Sequence, residues 1–103
     1  MPIHELRLYT INRGMMDAWL ECFKQDVLPI NQQHGIQVAA AWTNTDRTEF
    51  IWVRTFAGED ERKRTTDALY GSATWEKMRD RVRSHIAKTE VRATEPAPFS
   101  LLK

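Results

Sequence analysis

The 103-residue chain reads as an α+β protein, with six elements in the order strand, helix, strand, strand, helix, strand and a single antiparallel four-stranded sheet. Three observations predict this. Residues 3–11, 36–43, 49–56 and 85–94 have the composition and period-two patterning of strands. Met16, Trp19, Leu20, Phe23, Val27 and Leu28 recur at spacings of three, four and seven, which makes one stripe of a helix. Asn44-Thr45-Asp46-Arg47 is a polar turn of hairpin length, so the second and third strands pair back on each other.

The first strand, 3–11, places Ile3, Glu5, Arg7, Tyr9 and Ile11 on one face and His4, Leu6, Leu8 and Thr10 on the other. The aliphatic pair Leu6 and Leu8 suits packing under helices. Asn12-Arg13-Gly14 breaks the strand. A helix over 15–33 follows, with Pro29 predicting a kink or an end near Leu28 and then a short extra turn. His34-Gly35 closes it, glycine supplying the left-handed residue and histidine suiting the negative end of the helix dipole.

In the second strand, 36–43, alternation puts Val38, Ala40 and Trp42 on one face and Gln37, Ala39 and Ala41 on the other. The third strand, Glu49-Phe50-Ile51-Trp52-Val53-Arg54-Thr55-Phe56, is apolar in both registers: Phe50, Trp52 and Phe56 share a face with Arg54, and Ile51, Val53 and Thr55 share the other. A chain of this length has helices enough for one face, so the second face is expected to lie against another copy. Gly58-Glu59-Asp60-Glu61 opens a second helical region with acidic residues where a helix start favours them, although its apolar stripe is thin. Tyr70-Gly71 interrupts it, and Ser72 caps a further helix carrying Trp75, Met78 and Val82. The fourth strand, 85–94, ends before Pro96 and Pro98, leaving Phe99-Ser100-Leu101-Leu102-Lys103 as a tail with apolar content to dock. This order is the ferredoxin-like βαββαβ arrangement, with strands one and three side by side in the middle and both helical regions on one face.

Composition bounds the function. An apolar fraction of 42% and a charged fraction of 28% are those of one soluble globular domain over 1–103. Fifteen basic against fourteen acidic side chains lack the basic surplus that a polyanion binder needs. Cys22 is the single cysteine, which excludes an intrachain disulfide and fits a cytoplasmic setting. No stretch reaches the roughly 18 to 20 apolar residues of a membrane span, and the N-terminus lacks a leader pattern, so no membrane partner is expected.

Residues and order together resemble the NIPSNAP family, within the larger group of dimeric α+β barrel proteins. The matching pieces are Glu5-Leu6-Arg7-Leu8-Tyr9-Thr10-Ile11 with Gly14, Leu28-Pro29 followed by His34-Gly35, and Trp42. They continue with Phe50-Ile51-Trp52-Val53-Arg54 and Phe56, Glu61-Arg62, Tyr70 leading to Trp75, and Phe99-Ser100, which together cover nearly the whole chain. The resemblance implies a homodimer whose two sheets face each other as a closed barrel. The resemblance extends to larger eukaryotic members, linked to vesicle transport and mitochondrial quality control, which carry additional segments for which this chain lacks room. Neighbouring barrel families include cofactor-free monooxygenases, haem-degrading enzymes, isomerases and decarboxylases that use a pocket between sheet and helices or inside the barrel.

The candidate ligand-binding residues are Arg7, Tyr9, Trp42, Trp52, Arg54 and His85. Arg7 and Tyr9 share a face of strand one with Glu5, and Trp52 and Arg54 share a face of strand three; where those faces coincide, they offer two guanidiniums, a phenol and an indole to a small carboxylate or oxyanion. The alternative is a buried ionic layer in which Glu5 pairs with Arg7 or Arg54 and fixes the register of the dimer. His85 opens the strand beside strand one and is the candidate ligand contact or general base. His4, His34 and His85 have no ligand partners at helical or strand spacing, so neither metal nor cofactor is expected. RNA-recognition domains share the element order and display aromatics on strand three, but Thr48-Glu49 stands where their basic and glycine residues would be.

Two functions are open at this point: a homodimeric small-molecule-binding or interaction module, and a cofactor-independent enzyme acting on a small aromatic or carbonyl metabolite.

Overall fold

A computed structural model describes residues 1–103. Strand β1 (Ile3–Ile11) lies at the centre of one antiparallel sheet of order β2-β3-β1-β4, beside β3 (Glu49–Phe56) and β4 (Ile86–Thr94), with β2 (Gln37–Thr43) at the edge next to β3. The register sets Glu5 opposite Arg54, Arg7 opposite Trp52 and Tyr9 opposite Phe50. The first helical path runs as α1 (Met16–Cys22), a π-helical turn over Phe23–Val27, and α2 (Leu28–Gln33). The path changes type at Leu28, where a short final helix begins, as the position of Pro29 predicts. The Leu28 amide donates five residues back to Phe23 O, and Pro29 falls in the first turn of α2, where a missing N–H costs least. Two helices, α3 (Glu59–Tyr70) and α4 (Ala73–Arg83), complete the layer, joined where Ser72 Oγ accepts from the Trp75 amide at 3.1 Å.

The core between sheet and helices is aromatic. Trp19 is fully buried, with ring centroids of Tyr9, Phe50 and Phe23 at 5.7, 5.6 and 5.9 Å, and Phe23 lies 5.1 Å from Trp52. The helix-covered face of β1 is therefore the one carrying Ile3, Glu5, Arg7, Tyr9 and Ile11, of which all but Arg7 are buried. This corrects the expectation that Leu6 and Leu8 pack under the helices. Both lie on the opposite, uncovered face, because the charged pair finds its partners on the helix side and burial of charge is tolerable only with partners.

Strand β2 departs from simple alternation. Its register with β3 shifts between Val38 and Ala40, so Val38 sits opposite Arg54 while Ala40 and Trp42 sit opposite Val53 and Ile51. Val38 thus parts company with Ala40 and Trp42, contrary to the expected common face, because one extra residue reverses the phase of a period-two strand. Strand β4 begins at Ile86, one residue later than expected, with His85 in the preceding turn.

The uncovered face forms a groove of about 950 Å³, lined by His4, Leu6, Ala40, Trp42 and Val53 and walled on one side by Thr94 at the end of β4 and residues of the 95–103 tail. Phe99 and Leu102 border it and are almost wholly exposed. No helix is long and apolar enough to cross a membrane.

Candidate functional site

The site is built on β1 and β3. Neighbouring antiparallel strands place directly opposed side chains on one face, so the Glu5–Arg54 and Arg7–Trp52 pairs fall together on the helix side. Glu5 and Arg54 are 2% and 1% exposed, and both are satisfied. Glu5 Oε1 accepts from Arg7 Nη1 and Arg54 Nε, each at 3.0 Å, and Glu5 Oε2 accepts from Arg62 Nε at 2.8 Å. Arg54 Nη1 donates further to Asn31 Oδ1 and to the Tyr70 hydroxyl, each at 3.2 Å, and Asn31 Nδ2 donates to the Val27 carbonyl at 2.8 Å. The cluster therefore ties the sheet to α2 through Asn31 and to α3 through Arg62 and Tyr70.

Arg62 reaches the cluster because α3 starts at Glu59 beside it. Glu61 Oε2 accepts from the Ala57 amide at 2.6 Å, fixing the start of the helix, and the first turn then carries Arg62 over Glu5. Glu59 holds the other branch of the Arg62 guanidinium at 3.2 Å. Arg7 Nε donates to the Tyr9 hydroxyl at 3.0 Å. The guanidinium carbons of Arg7 and Arg54 lie 5.7 and 5.4 Å from the Trp52 ring, within cation–π range.

Burial alone would raise the Glu5 pKa, but the charge of Arg54, the Arg62 hydrogen bond and the charge and hydrogen bond of Arg7 outweigh it, and the carboxyl is held below its ordinary value. The Arg62 pKa is raised, chiefly by its hydrogen bond to Glu5 against an opposing effect of burial, with Glu59 assisting. Above the cluster opens a cleft of about 300 Å³, lined by Arg7, Arg54, Arg62, Lys63 and Tyr70 among others.

Of the six residues singled out in the sequence, Arg7, Tyr9, Trp52 and Arg54 come together here. Trp42 does not: it projects from the uncovered side of the sheet, 57% exposed. His85 also lies apart, buried beside Trp19 at 5.9 Å between ring centroids, with Nδ1 at 2.8 Å from the Arg81 carbonyl at the end of α4. Asn31, Arg62 and Tyr70 were not foreseen. For Arg62 a signal existed, since the thin apolar stripe of α3 marks a helix that covers charge rather than an apolar core. The ionic layer lies under the helices, away from the uncovered face on which a second copy would sit.

A family model described as NIPSNAP matches residues 4–101. The chain belongs to the NIPSNAP family. Solved NIPSNAP structures share the whole architecture. A family protein from Agrobacterium tumefaciens is 22% identical over 100% of both chains, with a TM-score of 0.91. An uncharacterised NIPSNAP domain protein from Burkholderia xenovorans is 20% identical over 95% of this chain and 97% of its own, at 0.86. A putative antibiotic biosynthesis monooxygenase from Nitrosomonas europaea is 12% identical over 96% and 93%, at 0.72, a likeness of fold alone. Among curated proteins, none matches this NIPSNAP chain in sequence.

Proposed function

We propose that this NIPSNAP protein is a homodimeric module that binds a small molecule in the cleft above Glu5. One observation carries the reading: a carboxylate, Glu5, buried and paired with three arginines, forms the floor of an accessible cleft. Burying Glu5 and Arg54, with Arg7 and Arg62 partly withdrawn from water beside them, is costly, and apolar residues would stabilise the same space as well or better. Such a cluster is therefore better explained by what it presents to the cleft. Pairing with Glu5 and Tyr9 fixes the orientation of Arg7, and pairing with Glu5 and Glu59 fixes that of Arg62, so neither loses much freedom when a ligand arrives.

Binding is favoured over catalysis by the same geometry. A general base needs a pKa near the working pH, whereas Glu5 is shifted the other way and its two oxygens are already occupied. His85, the sequence's candidate base, is packed against Trp19 with Nδ1 engaged by a backbone carbonyl.

The homodimer rests on the uncovered face of the sheet. Leu6, Val53 and the exposed Trp42 present an apolar surface, and all the chain's helices lie on the other side. The Nε2 atom of His4 is buried there without a hydrogen-bond partner. A second copy offers an equal surface, which a twofold interface can bury on both sides at once.

Native mass spectrometry, first at gentle and then at dissociating energy, tests both parts. The expected result is a species of twice 12.1 kDa carrying a reproducible small adduct. A monomer would overturn the assembly, and a dimer that gains no adduct from a metabolite mixture would overturn the binding role.

A further inference from the structure

Resting on that reading, we infer that the ligand of the cleft is a small organic carboxylate bearing one negative charge, held by Arg7, Arg62 and the Tyr70 hydroxyl. The charge count sets the sign. Arg7, Arg54, Arg62 and Lys63 line the cleft against Glu5, Glu59 and Asp67, which leaves one positive charge unmatched. A monoanion neutralises it, whereas a dianion leaves a negative surplus over a poorly solvated floor.

The donor inventory sets the chemistry. Arg7 uses Nε on Tyr9 and Nη1 on Glu5, while its Nη2 makes no hydrogen bond within the protein. Arg62 uses Nε on Glu5 and Nη1 on Glu59, and its Nη2 is likewise unused. The Tyr70 oxygen accepts from Arg54, so its own proton points elsewhere and has no acceptor in the protein. Arg54 itself is 1% exposed and acts as a positioning residue for that phenol rather than as a ligand contact. Two guanidinium edges and a hydroxyl are therefore unspent donors around a space whose buried acceptors, the Glu5 oxygens, are filled, while Glu59 and Asp67 at its rim already pair with Arg62 and Lys63. An acceptor-rich, planar group such as a carboxylate answers them, and guanidinium geometry suits it.

The organic portion has a surface to rest on. The Tyr70 ring is 40% exposed at the cleft wall and is fixed edge-on against Trp75 at 5.3 Å. Lys63, paired with Asp67 in the open at 2.8 Å, is solvated and adds little grip. A cleft of about 300 Å³ is at the small end for ligand sites and suits a compact acid.

The test is an NMR titration of the full chain with three probes: benzoate, its neutral isostere benzamide, and inorganic phosphate. Benzoate is expected to shift the Arg7 and Arg62 side-chain N–H signals and the signals around Tyr70 saturably. Benzamide is expected to bind at least tenfold more weakly. Tyr70→Phe, which leaves every bond to Glu5 in place, is expected to weaken benzoate by about three- to tenfold. Equal affinity for benzoate and benzamide would keep the cleft as a binding site and overturn its anion preference. Tighter binding of phosphate would overturn the carboxylate class, and unchanged affinity in Tyr70→Phe would remove the phenol from the grip. Silence of these signals with all three probes would overturn the ligand class and the binding role together.

Discussion

Glu5 and Arg54 stand directly opposite each other on β1 and β3, and Arg54 Nη2 lies 2.8 Å from Glu5 Oε1 with both side chains withdrawn from solvent. The pair is asymmetric. Glu5 is the only carboxylate shared by Arg7, Arg54 and Arg62, whereas Arg54 is one of three cations around it.

That asymmetry orders two substitutions. Glu5→Gln leaves Arg7 and the buried Arg54 without an anion and Arg62 with Glu59 alone, and is expected to cost about 3–5 kcal/mol. Arg54→Met leaves Glu5 paired with Arg7 and Arg62, frees Asn31 and Tyr70 of one bond each, and is expected to cost about 1–3 kcal/mol. Urea denaturation of the two variants checks the order. Equal losses would mean that the cluster behaves as a single isolated pair.

Acid stability follows from the same carboxyl. Burial works to raise the Glu5 pKa, but Arg54, Arg62 and Arg7 together depress it below its ordinary value of 4.5. A group whose folded pKa is depressed adds stability that is complete above its unfolded value and is lost as pH falls through the folded one. Stability is therefore expected to hold down to about pH 4.5 and to fall below it. The acid-dependent loss should flatten in Glu5→Gln. Parallel melting curves for wild type and variant across pH 2 to about 6 would assign the acid sensitivity to other carboxylates.

Val53 lies on the uncovered face of the central strand β3, opposite Ala40 of β2 and Leu6 of β1. If the proposed dimer forms through this face, Val53→Arg is expected to abolish it while leaving a folded monomer, because on a lone sheet the added charge stays in water. Light scattering coupled to gel filtration, with circular dichroism for the fold, reads both. A variant that remains dimeric would place the interface elsewhere.

Ser72 serves the join between α3 and α4 twice, accepting from the Trp75 amide at 3.1 Å and donating to the Leu69 carbonyl at 2.7 Å. Ser72→Ala is expected to cost about 1 kcal/mol. A thermal melt measures it. An unchanged midpoint would show that Gly71 and the packing of Tyr70 on Trp75 hold the corner unaided.

Much of the fold was legible because its signals are local. The stripe from Met16 to Leu28, the Asn44–Arg47 turn and the Ser72 cap each depend on residues a few positions apart, and the structure has all three. Errors arose where one residue changes the phase. The shift after Val38 parted it from Ala40 and Trp42, and composition gives no sign of a bulge among three alanines. The buried face of β1 escapes the sequence for a different reason: Leu6 and Leu8 are more apolar than Glu5 and Arg7, yet partners for Glu5 from β3 and α3 make the charged side the one that can be buried.

The sequence by itself determined the order of elements, the central pairing of β1 with β3, the family, and five of the residues that meet under the helices: Glu5, Arg7, Tyr9, Trp52 and Arg54. The order of elements follows from periodicity and turn chemistry, which act over a few residues, the central pairing from the topology that this order implies, and the family from the resemblance of the matching pieces. Only the tertiary structure decided that Arg62 and Tyr70, 57 and 16 residues from their partners Glu5 and Arg54, complete the cluster. It also decided that Trp42 and His85 lie outside it. Charge neutralisation and hydrogen-bond satisfaction act between residues that meet only after the chain has folded, so their outcome is set by packing rather than by spacing along the chain.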